Sequence, residues 1–228
     1  MTMYNFKYNY LWGDILDNIK AVIFDLDGTL VDSMWVWEQI DIDFLKSKGY
    51  TPPKDLKDNI THLTFNQTAE YFKNRFNLSD SIDEITDTWH NMAYDFYSSK
   101  VKLKEGVIPF LNKLKSLNIK IGLATSSSIP LLEATLKNNG IYHLFDAITV
   151  TEEVKRSKEN PDVYLLCANK LNVPPENCVV FEDIITAVKG AKLAGMKVIG
   201  VYDKASEDQE DILSKTCDKY IYDYNELI

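Results

Sequence analysis

The sequence predicts an α/β fold, in which a parallel sheet with helices on both faces carries an all-helical insertion. Two observations lead to this class. After residue 100, short apolar segments rich in β-forming residues alternate with helical segments, and such alternation is typical of a parallel sheet covered on both faces. Between residues 33 and 100 the apolar residues recur only at helical spacing. A chain of 228 residues suits one such core with a modest insertion.

The first regular element is a predicted strand that begins near Lys20. Its sequence, KAVIFDLDG, is an apolar run that stops at Asp and Gly, as a buried strand does where it meets a turn. Five comparable runs follow the insertion, at residues 119–124, 147–150, 178–181, 197–202 and 219–222. The predicted helices between them lie at residues 107–117, 130–139, 161–171 and 184–194.

The insertion is predicted to contain three amphipathic helices, at residues 34–48, 66–76 and 81–99. In the third, the residues Ile82, Ile85, Trp89, Met92, Ala93 and Phe96 form one apolar stripe, which plain helix packing explains. We therefore predict a core of residues 1–33 and 100–228 and a helical insertion of residues 34–99. Residues 1–18 precede the first strand, and we assign them no function.

Composition and charge indicate a globular protein of the cytoplasm. A net charge of −9 disfavours nucleic acid as a partner, because binding a polyanion depends on clustered Lys and Arg. The three cysteines, Cys167, Cys178 and Cys217, form no CxxC pair, so a disulfide framework is not indicated and a reducing compartment is. With no apolar run typical of a secretory signal or a membrane span, we expect a cytoplasmic monomer without a membrane partner.

Two acids, Asp25 and Asp27, directly follow the first strand, where open α/β sheets bind ligands. Alternation along the extended backbone points both side chains to one side, and Gly28 permits the turn that follows. Carboxylates this close repel each other unless a cation or a proton lies between them. An ordinary Asp-Gly turn with a second, incidental Asp is the alternative.

A second pair of acids, Glu182 and Asp183, stands at the end of the predicted strand 178–181. Asp183 could simply cap the next helix. Oxygen ligands from a few carboxylates, with positions left for water and phosphate, fit Mg²⁺ better than calcium or zinc. The histidines at positions 62, 90 and 143 are too scattered in sequence to suggest a zinc cluster.

A site that handles phosphate also needs hydrogen-bond donors, and two groups follow predicted strands. Thr125, with Ser126 and Ser127, closes the strand 119–124, and its hydroxyl and the backbone N–H groups beyond it could bind phosphate oxygens or cap the next helix. Lys158 precedes the Pro161-Asp162 helix start, and Arg156 nearby leaves the choice of cation open.

Together these segments resemble the haloacid dehalogenase superfamily, in the subgroup that contains β-phosphoglucomutase and many small sugar-phosphate and nucleotide phosphatases. FDLDGTLVDS, ATSSS, the Lys of KENPDVY, and VFED followed by AKLAGM are similar to its four motifs, in order. The resemblance covers roughly residues 20–228. It departs from the pattern at Ser157-Lys158-Glu159, where the family usually has Gly-Lys-Pro.

The resemblance implies a Rossmann-like core with a helical cap, and a Mg²⁺-dependent phosphatase acting on a small phosphorylated metabolite. Asp25 would be the nucleophile that forms an aspartyl-phosphate, and Asp27 the general acid and base. The expected metal ligands are Asp25, the main-chain carbonyl of Asp27, Asp183 and, in a supporting role, Glu182. The expected phosphate-binding residues are Thr125, Ser126 and Lys158.

The sequence is compatible with two alternatives: a mutase that passes the phosphoryl group to a second hydroxyl, and a silent binder of a phosphorylated ligand. By the resemblance, Trp37 lies where the mutase has a His, and Phe65 lies near its phosphate-binding Arg. Apolar groups cannot pair with a buried dianion, so we expect hydrolysis, unless Lys73 and Arg75 face the site. Trp35, Trp37, Phe65 and Trp89 could line a substrate pocket or simply pack.

Overall fold

The computed structural model describes residues 18–60 and 63–228. The unassigned leader up to residue 17 and His62 therefore lie outside the described residues. The described chain forms two compact units: residues up to Ser33 together with Val101–Ile228, called the core unit, and Met34–Lys100, called the helical unit.

The described strands are β1 (Ala21–Phe24), β2 (Val31–Asp32), β3 (Lys102–Leu103), β4 (Lys120–Thr125), β5 (Ala147–Val150), β6 (Cys178–Glu182), β7 (Lys197–Val201) and β8 (Lys219–Ile221). The described α-helices are α1 (Val36–Ser47), α2 (Leu56–Ile60), α3 (Phe65–Arg75), α4 (Ile82–Ser99), α5 (Val107–Ser116), α6 (Ile129–Asn138), α7 (Asp162–Leu171), α8 (Ile185–Leu193) and α9 (Glu210–Thr216).

The core unit is built on a six-stranded sheet with the strand order β5-β4-β1-β6-β7-β8. All of its strand pairs are parallel. Phe24 of β1 stands opposite Leu123 of β4 on one side and Phe181 of β6 on the other. β1 is thus central, and the carboxyl ends of β4 and β6 flank its own.

Helices cover both faces of this sheet. Ala21 and Ile23 of β1 pack into one buried cluster with residues of α7 and α8. Phe24, which points to the opposite face because strand side chains alternate, packs edge-on against Phe110 of α5 at a centroid distance of 6.1 Å. The predicted α/β class is therefore confirmed, and the five strands predicted after the insertion end within one residue of those observed.

The helical unit has four helices in its described residues, α1 to α4. Two of them begin at a capping box, in which Thr64 pairs with Gln67 and Ser81 with Glu84, and such reciprocal bonds satisfy the first free N–H groups of a helix. Trp89 of α4 packs edge-on against Phe44 of α1 and Phe72 of α3, with ring centroids 5.6 and 5.0 Å apart. The predicted stripe on α4 is therefore a packing face.

Candidate active site

Three neighbouring strands present polar residues at the same edge of the sheet. β1 leads directly into Asp25, β4 ends at Thr125, and β6 ends at Glu182. The N–H of Asp25 donates to the carbonyl of Phe181 at 3.0 Å, so the β1–β6 pairing continues to the first acid. The parallel register therefore brings together residues that lie up to 157 positions apart in the chain.

Asp25, Glu182 and Asp183 form what we call the acid cluster. One carboxylate oxygen from each lies within 4.8 Å of the others. The three residues are only 7%, 0% and 3% exposed. Because buried carboxylates are costly unless a positive charge compensates them, the cluster fits a cation.

Lys158 brings a positive charge to the acid cluster. Its ammonium contacts Asp25 Oδ1 at 2.6 Å and forms a second ion pair with Glu182. Arg156 instead pairs with Asp162 at 2.8 Å. Of the two candidate cations, the structure thus places Lys158 at the cluster.

The ion pairs at the acid cluster shift the ionisation of its members. Burial by itself lowers the pKa of Lys158, but the carboxylates of Asp25 and Glu182 outweigh this and raise it above its usual value. Burial raises the pKa of Glu182 to about 7, opposed by the charge of Lys158 and assisted by that of Asp25. Burial also holds the pKa of Asp183 well above its usual range, with the charges of Asp25 and Glu182 adding to the effect.

Glu182 is held from two sides through one of its oxygens. Its Oε1 accepts a hydrogen bond from the Tyr164 hydroxyl at 2.7 Å and forms an ion pair with the Lys158 ammonium. Its Oε2 is buried and has no hydrogen-bond partner in the described part of the chain. Buried polar atoms are rarely left unpaired, so this oxygen is an available ligand position.

The turn after β1 brings its backbone very close to Asp183. Gly28 has a φ of 79°, which glycine adopts without steric cost. A Cβ atom at Gly28 would lie 2.3 Å from Asp183 Oδ2. Thr29, the next residue, donates its hydroxyl to Asp183 Oδ1 at 3.0 Å. Glycine is therefore needed here for its conformation and for the approach of the carboxylate.

Asp183 does not cap the following helix. The N-cap position of α8 is Ile184, with no side-chain capping bond, and the Asp183 carboxylate instead accepts from Thr29. The alternative that treated Asp183 as a cap is therefore wrong.

The remaining predicted site residues lie at the same strand ends. Asp27 is half-buried, and Ser33 donates its hydroxyl to Asp27 Oδ1 at 2.6 Å. Thr125 is buried at the end of β4, and its hydroxyl oxygen accepts from the N–H of Ser127 at 3.0 Å. Ser126 is exposed one residue further along.

Sequence reasoning did not assign roles to three residues that contact the acids: Thr29, Ser33 and Tyr164. All three fall inside motif segments quoted above, FDLDGTLVDS and KENPDVY. Which acid each one contacts depends on the fold, because Tyr164 and Glu182 stand 18 positions apart and Thr29 and Asp183 stand 154 apart.

The helical unit contains a pocket of its own, which we call the helical-unit pocket. Its volume is about 410 Å³, and it is lined by Trp37, Asp41, Ile60, Leu63, Phe65, Thr68 and Trp89. None of these described lining residues is Lys or Arg. Burial raises the pKa of Asp41 to about 7, with the charge of Glu38 as a smaller contribution.

The two basic residues named as possible second-phosphate ligands are engaged within the helical unit. Arg75 pairs with Asp55 at 2.9 Å. Lys73 donates to the carbonyl of Leu78 at 3.3 Å and to that of Asp80. Neither lines the helical-unit pocket.

Comparison with known proteins places the chain in a family. The model of the haloacid dehalogenase-like hydrolases matches residues 22–201. The chain belongs to this family. Among its hydrolase relatives, the phosphorylated carbohydrates phosphatase of Thermotoga maritima is 32% identical, over 79% of this chain and 84% of the relative. Hexitol phosphatase B of Escherichia coli strain K12 is also 32% identical, over 85% of this chain and 87% of the relative.

Solved structures of haloacid dehalogenase-like proteins share the fold. A β-phosphoglucomutase-like protein from Thermotoga maritima has a TM-score of 0.83 and 28% identity, over 92% of this chain and 97% of that one. The β-phosphoglucomutase of Clostridium difficile has a TM-score of 0.67 and 25% identity, over 92% of this chain and 93% of that one. As to membrane insertion, no helix among the described residues is long and apolar enough to cross a bilayer.

Proposed function

We propose that this chain is a Mg²⁺-dependent phosphatase that hydrolyses a small phosphorylated carbohydrate through an aspartyl-phosphate intermediate. The enzyme is a phosphoric monoester hydrolase of the haloacid dehalogenase-like family. The observation that supports Mg²⁺ dependence and an aspartyl-phosphate intermediate is the acid cluster, which lies at the carboxyl edge of the sheet with Lys158 in contact with it. The two phosphatase relatives named above support a carbohydrate substrate.

The donor set of the acid cluster fits Mg²⁺. It offers hard carboxylate oxygens, one of which, Glu182 Oε2, is buried without a described partner, and Mg²⁺ is bound by a few carboxylates together with water and phosphate. Asp25, the main-chain carbonyl of Asp27 and Asp183 would hold the ion, with support from Glu182. When bound, Mg²⁺ offsets the negative charge of the phosphoryl group and of the acids around it.

In this proposal Asp25 is the nucleophile. Lys158 pairs with Asp25 Oδ1, which fixes the orientation of the carboxylate. A carboxylate oxygen attacks phosphorus, an Asp25 O–P bond forms, and the P–O bond to the leaving group breaks. Water then attacks the phosphorus of the aspartyl-phosphate and regenerates the Asp25 carboxylate.

Asp27 supplies the protons for both steps. As an acid it protonates the leaving oxygen, and as a base it takes a proton from the attacking water. The Ser33 hydroxyl, 2.6 Å from Asp27 Oδ1, orients the carboxyl group for these proton transfers. Thr125, Ser126 and Lys158 bind the phosphate oxygens.

The charge of the helical-unit pocket favours hydrolysis over mutase chemistry. A mutase must hold a bisphosphorylated intermediate, which requires cationic partners for the second phosphate. Aromatic and aliphatic side chains, one threonine and one acid line the pocket instead, while Lys73 and Arg75 are bound to other groups. A single phosphate site, at the acid cluster, is sufficient for a phosphatase.

The test replaces the nucleophile with its amide. Asp25→Asn should lower Mg²⁺-dependent phosphate release from p-nitrophenyl phosphate by on the order of 10⁴-fold or more, because an amide oxygen is a poor nucleophile. Asp208→Asn, an exposed acid of the core unit, is the matched control and should keep wild-type turnover. Turnover by the Asp25→Asn enzyme near the wild-type rate would rule out the mechanism, and no release by the wild-type enzyme would favour a silent binder.

A further inference from the structure

Gly190 lies in the middle of α8, where this helix touches the turn that carries Lys158. A Cβ atom at Gly190 would lie 1.9 Å from the main-chain oxygen of Lys158 and 2.9 Å from that of Asn160. Both are backbone atoms, which cannot rotate away as the end of a flexible side chain can. Only a residue without a side chain allows this contact.

The contact explains a glycine that the helix itself does not favour. Glycine in a helix interior is less favourable than alanine by about 1 kcal/mol. The backbone of Gly190 does not have the positive φ that favours glycine, unlike that of Gly28 or Gly195. The backbone conformation therefore does not explain a glycine at this position. The close approach of the Lys158 turn does explain it.

The turn itself is compact. The N–H of Asn160 donates to the carbonyl of Ser157 at 3.0 Å, and the ion pair between Arg156 and Asp162 spans it. It has the Ser-Lys-Glu sequence that departs from the Gly-Lys-Pro pattern. The main chain of Lys158 thus rests on α8 as part of a closed turn.

The side chain of Lys158 is fixed at its other end by the acid cluster. Its ammonium contacts Asp25 Oδ1 at 2.6 Å, and the residue is largely buried, with its side chain 11% exposed. α8 begins two residues after Asp183. The same helix therefore supports the Lys158 main chain and follows closely on Glu182, one of the two acids that the ammonium contacts.

We propose that Gly190 is a positioning residue: its missing side chain lets the Lys158 turn settle against α8, so that the ammonium reaches Asp25 and Glu182. This inference rests on the proposed function, because it assigns Gly190 an effect on phosphate binding through Lys158. A side chain at this position moves the turn outward by about 1 Å, and a displacement of that size can lower catalysis by about 100-fold.

The experiment is a double-mutant cycle on the full chain with p-nitrophenyl phosphate and Mg²⁺. Gly190→Ala should lower kcat/KM by about 100-fold while circular dichroism shows a folded protein. In a Lys158→Ala background the same change should cost less than about 3-fold, because residues that act through one another are not additive. Lys189→Ala, an exposed neighbour on α8, is the control and should leave kcat/KM unchanged.

A second variant tests the inference from the side of the turn. Asn160→Gly leaves α8 intact and gives the turn more conformational freedom. It should lower kcat/KM only when Lys158 is present.

Additive losses in the cycle, wild-type kcat/KM in a folded Gly190→Ala enzyme, or a Gly190→Ala chain that does not fold would each overturn the proposal. The last outcome would assign the glycine to core stability. Full activity of Lys158→Ala would remove the role of Lys158 itself. An inactive wild-type enzyme, in contrast, is the failure of the proposed function and is seen before any variant is compared.

Discussion

At the scale of single residues, Tyr164 controls the environment of a buried acid. Its hydroxyl donates to Glu182 Oε1 at 2.7 Å, and its ring lies 5.8 Å from the Lys158 ammonium. The hydroxyl stabilises the ionised form of Glu182, because a hydrogen bond to a carboxylate favours the charged state. Tyr164 therefore helps to keep negative charge in the acid cluster.

We expect Tyr164→Phe to lower the free energy of unfolding by about 1–3 kcal/mol, because it removes a partner from a buried carboxylate. Urea denaturation at pH 8 measures this change. Tyr142→Phe is the control, since the Tyr142 hydroxyl is 3.4 Å from the carboxylate of Glu133, whose side chain is 36% exposed. Equal effects of the two substitutions would contradict a special role for the buried bond.

Substitution of Gly28, compared with substitution of Gly140, distinguishes the cost of backbone strain from the cost of displacing an active-site carboxylate. Gly28→Ala and Gly140→Ala both place a side chain at positive φ, 79° and 70°, and each should lose about 1–2 kcal/mol of stability for that reason. Only at Gly28 does the new Cβ collide with Asp183, since nothing lies within 4 Å of the Cβ position at Gly140. We therefore expect phosphate release to fall at least 10-fold in Gly28→Ala alone. Similar activity of the two variants would show that strain, and not the carboxylate, explains the glycine.

At the scale of elements, α1 carries an acid in an unfavourable environment. Asp41 lines the helical-unit pocket, and burial raises its pKa from 3.8 to about 7. The folded protein thus prefers the neutral acid, while the unfolded chain releases its proton near pH 4. The unfolding free energy contributed by this group is therefore present below pH 4 and declines as the pH rises towards 7.

We expect Asp41→Asn to unfold like the wild type at pH 4 and to be more stable at pH 8 by roughly 4 kcal/mol, the free energy that the pKa difference implies. Denaturant titrations at the two pH values measure this difference. Thr68→Val changes a polar group of the same pocket that does not titrate, and its effect should not depend on pH. A pH-independent effect of Asp41→Asn would contradict the raised pKa.

The sequence predicted the longer elements well because their patterns are local. The predicted strands at 147–150 and 178–181 and the helix at 81–99 differ from β5, β6 and α4 by one residue at most. Short elements were not predicted: α2 has five described residues, and β2 and β3 have two each, too few to show a period. The helix α9 was also not predicted.

The site was predictable in part. Acids at strand ends follow from local sequence, since Asp25 and Glu182 each end an apolar run. Which of Arg156 and Lys158 contacts the acid cluster does not follow from local sequence. It depends on how the 157–160 turn rests on Gly190, about 30 residues later in the chain. The contacts of Tyr164 and Thr29 with the acids likewise require the sheet register.

At the scale of the whole molecule, the distribution of charge bears on the reaction type. The chain has a net charge of −9, and many of the described basic side chains are paired with acids, among them Lys48, Arg75, Lys104 and Lys158. Lys158 is the one of these four that contacts the acid cluster. A single anionic group is compatible with this arrangement, and the described lining of the helical-unit pocket has no cation that could pair with a second phosphate.

We therefore expect the enzyme to release inorganic phosphate from β-glucose 1-phosphate rather than convert it to glucose 6-phosphate. The assay contains Mg²⁺ and a catalytic amount of glucose 1,6-bisphosphate, which a mutase requires as its phosphoryl donor, and follows both products with time. A second phosphate without a cationic partner costs several kcal/mol, which slows the mutase route by about 100-fold or more relative to hydrolysis. The Asp25→Asn enzyme in the same mixture should form neither product, so that any glucose 6-phosphate from a contaminating mutase is identified. Faster accumulation of glucose 6-phosphate than of inorganic phosphate by the wild type would establish the mutase, and would imply that the second phosphate finds a cation outside the lining described for this pocket.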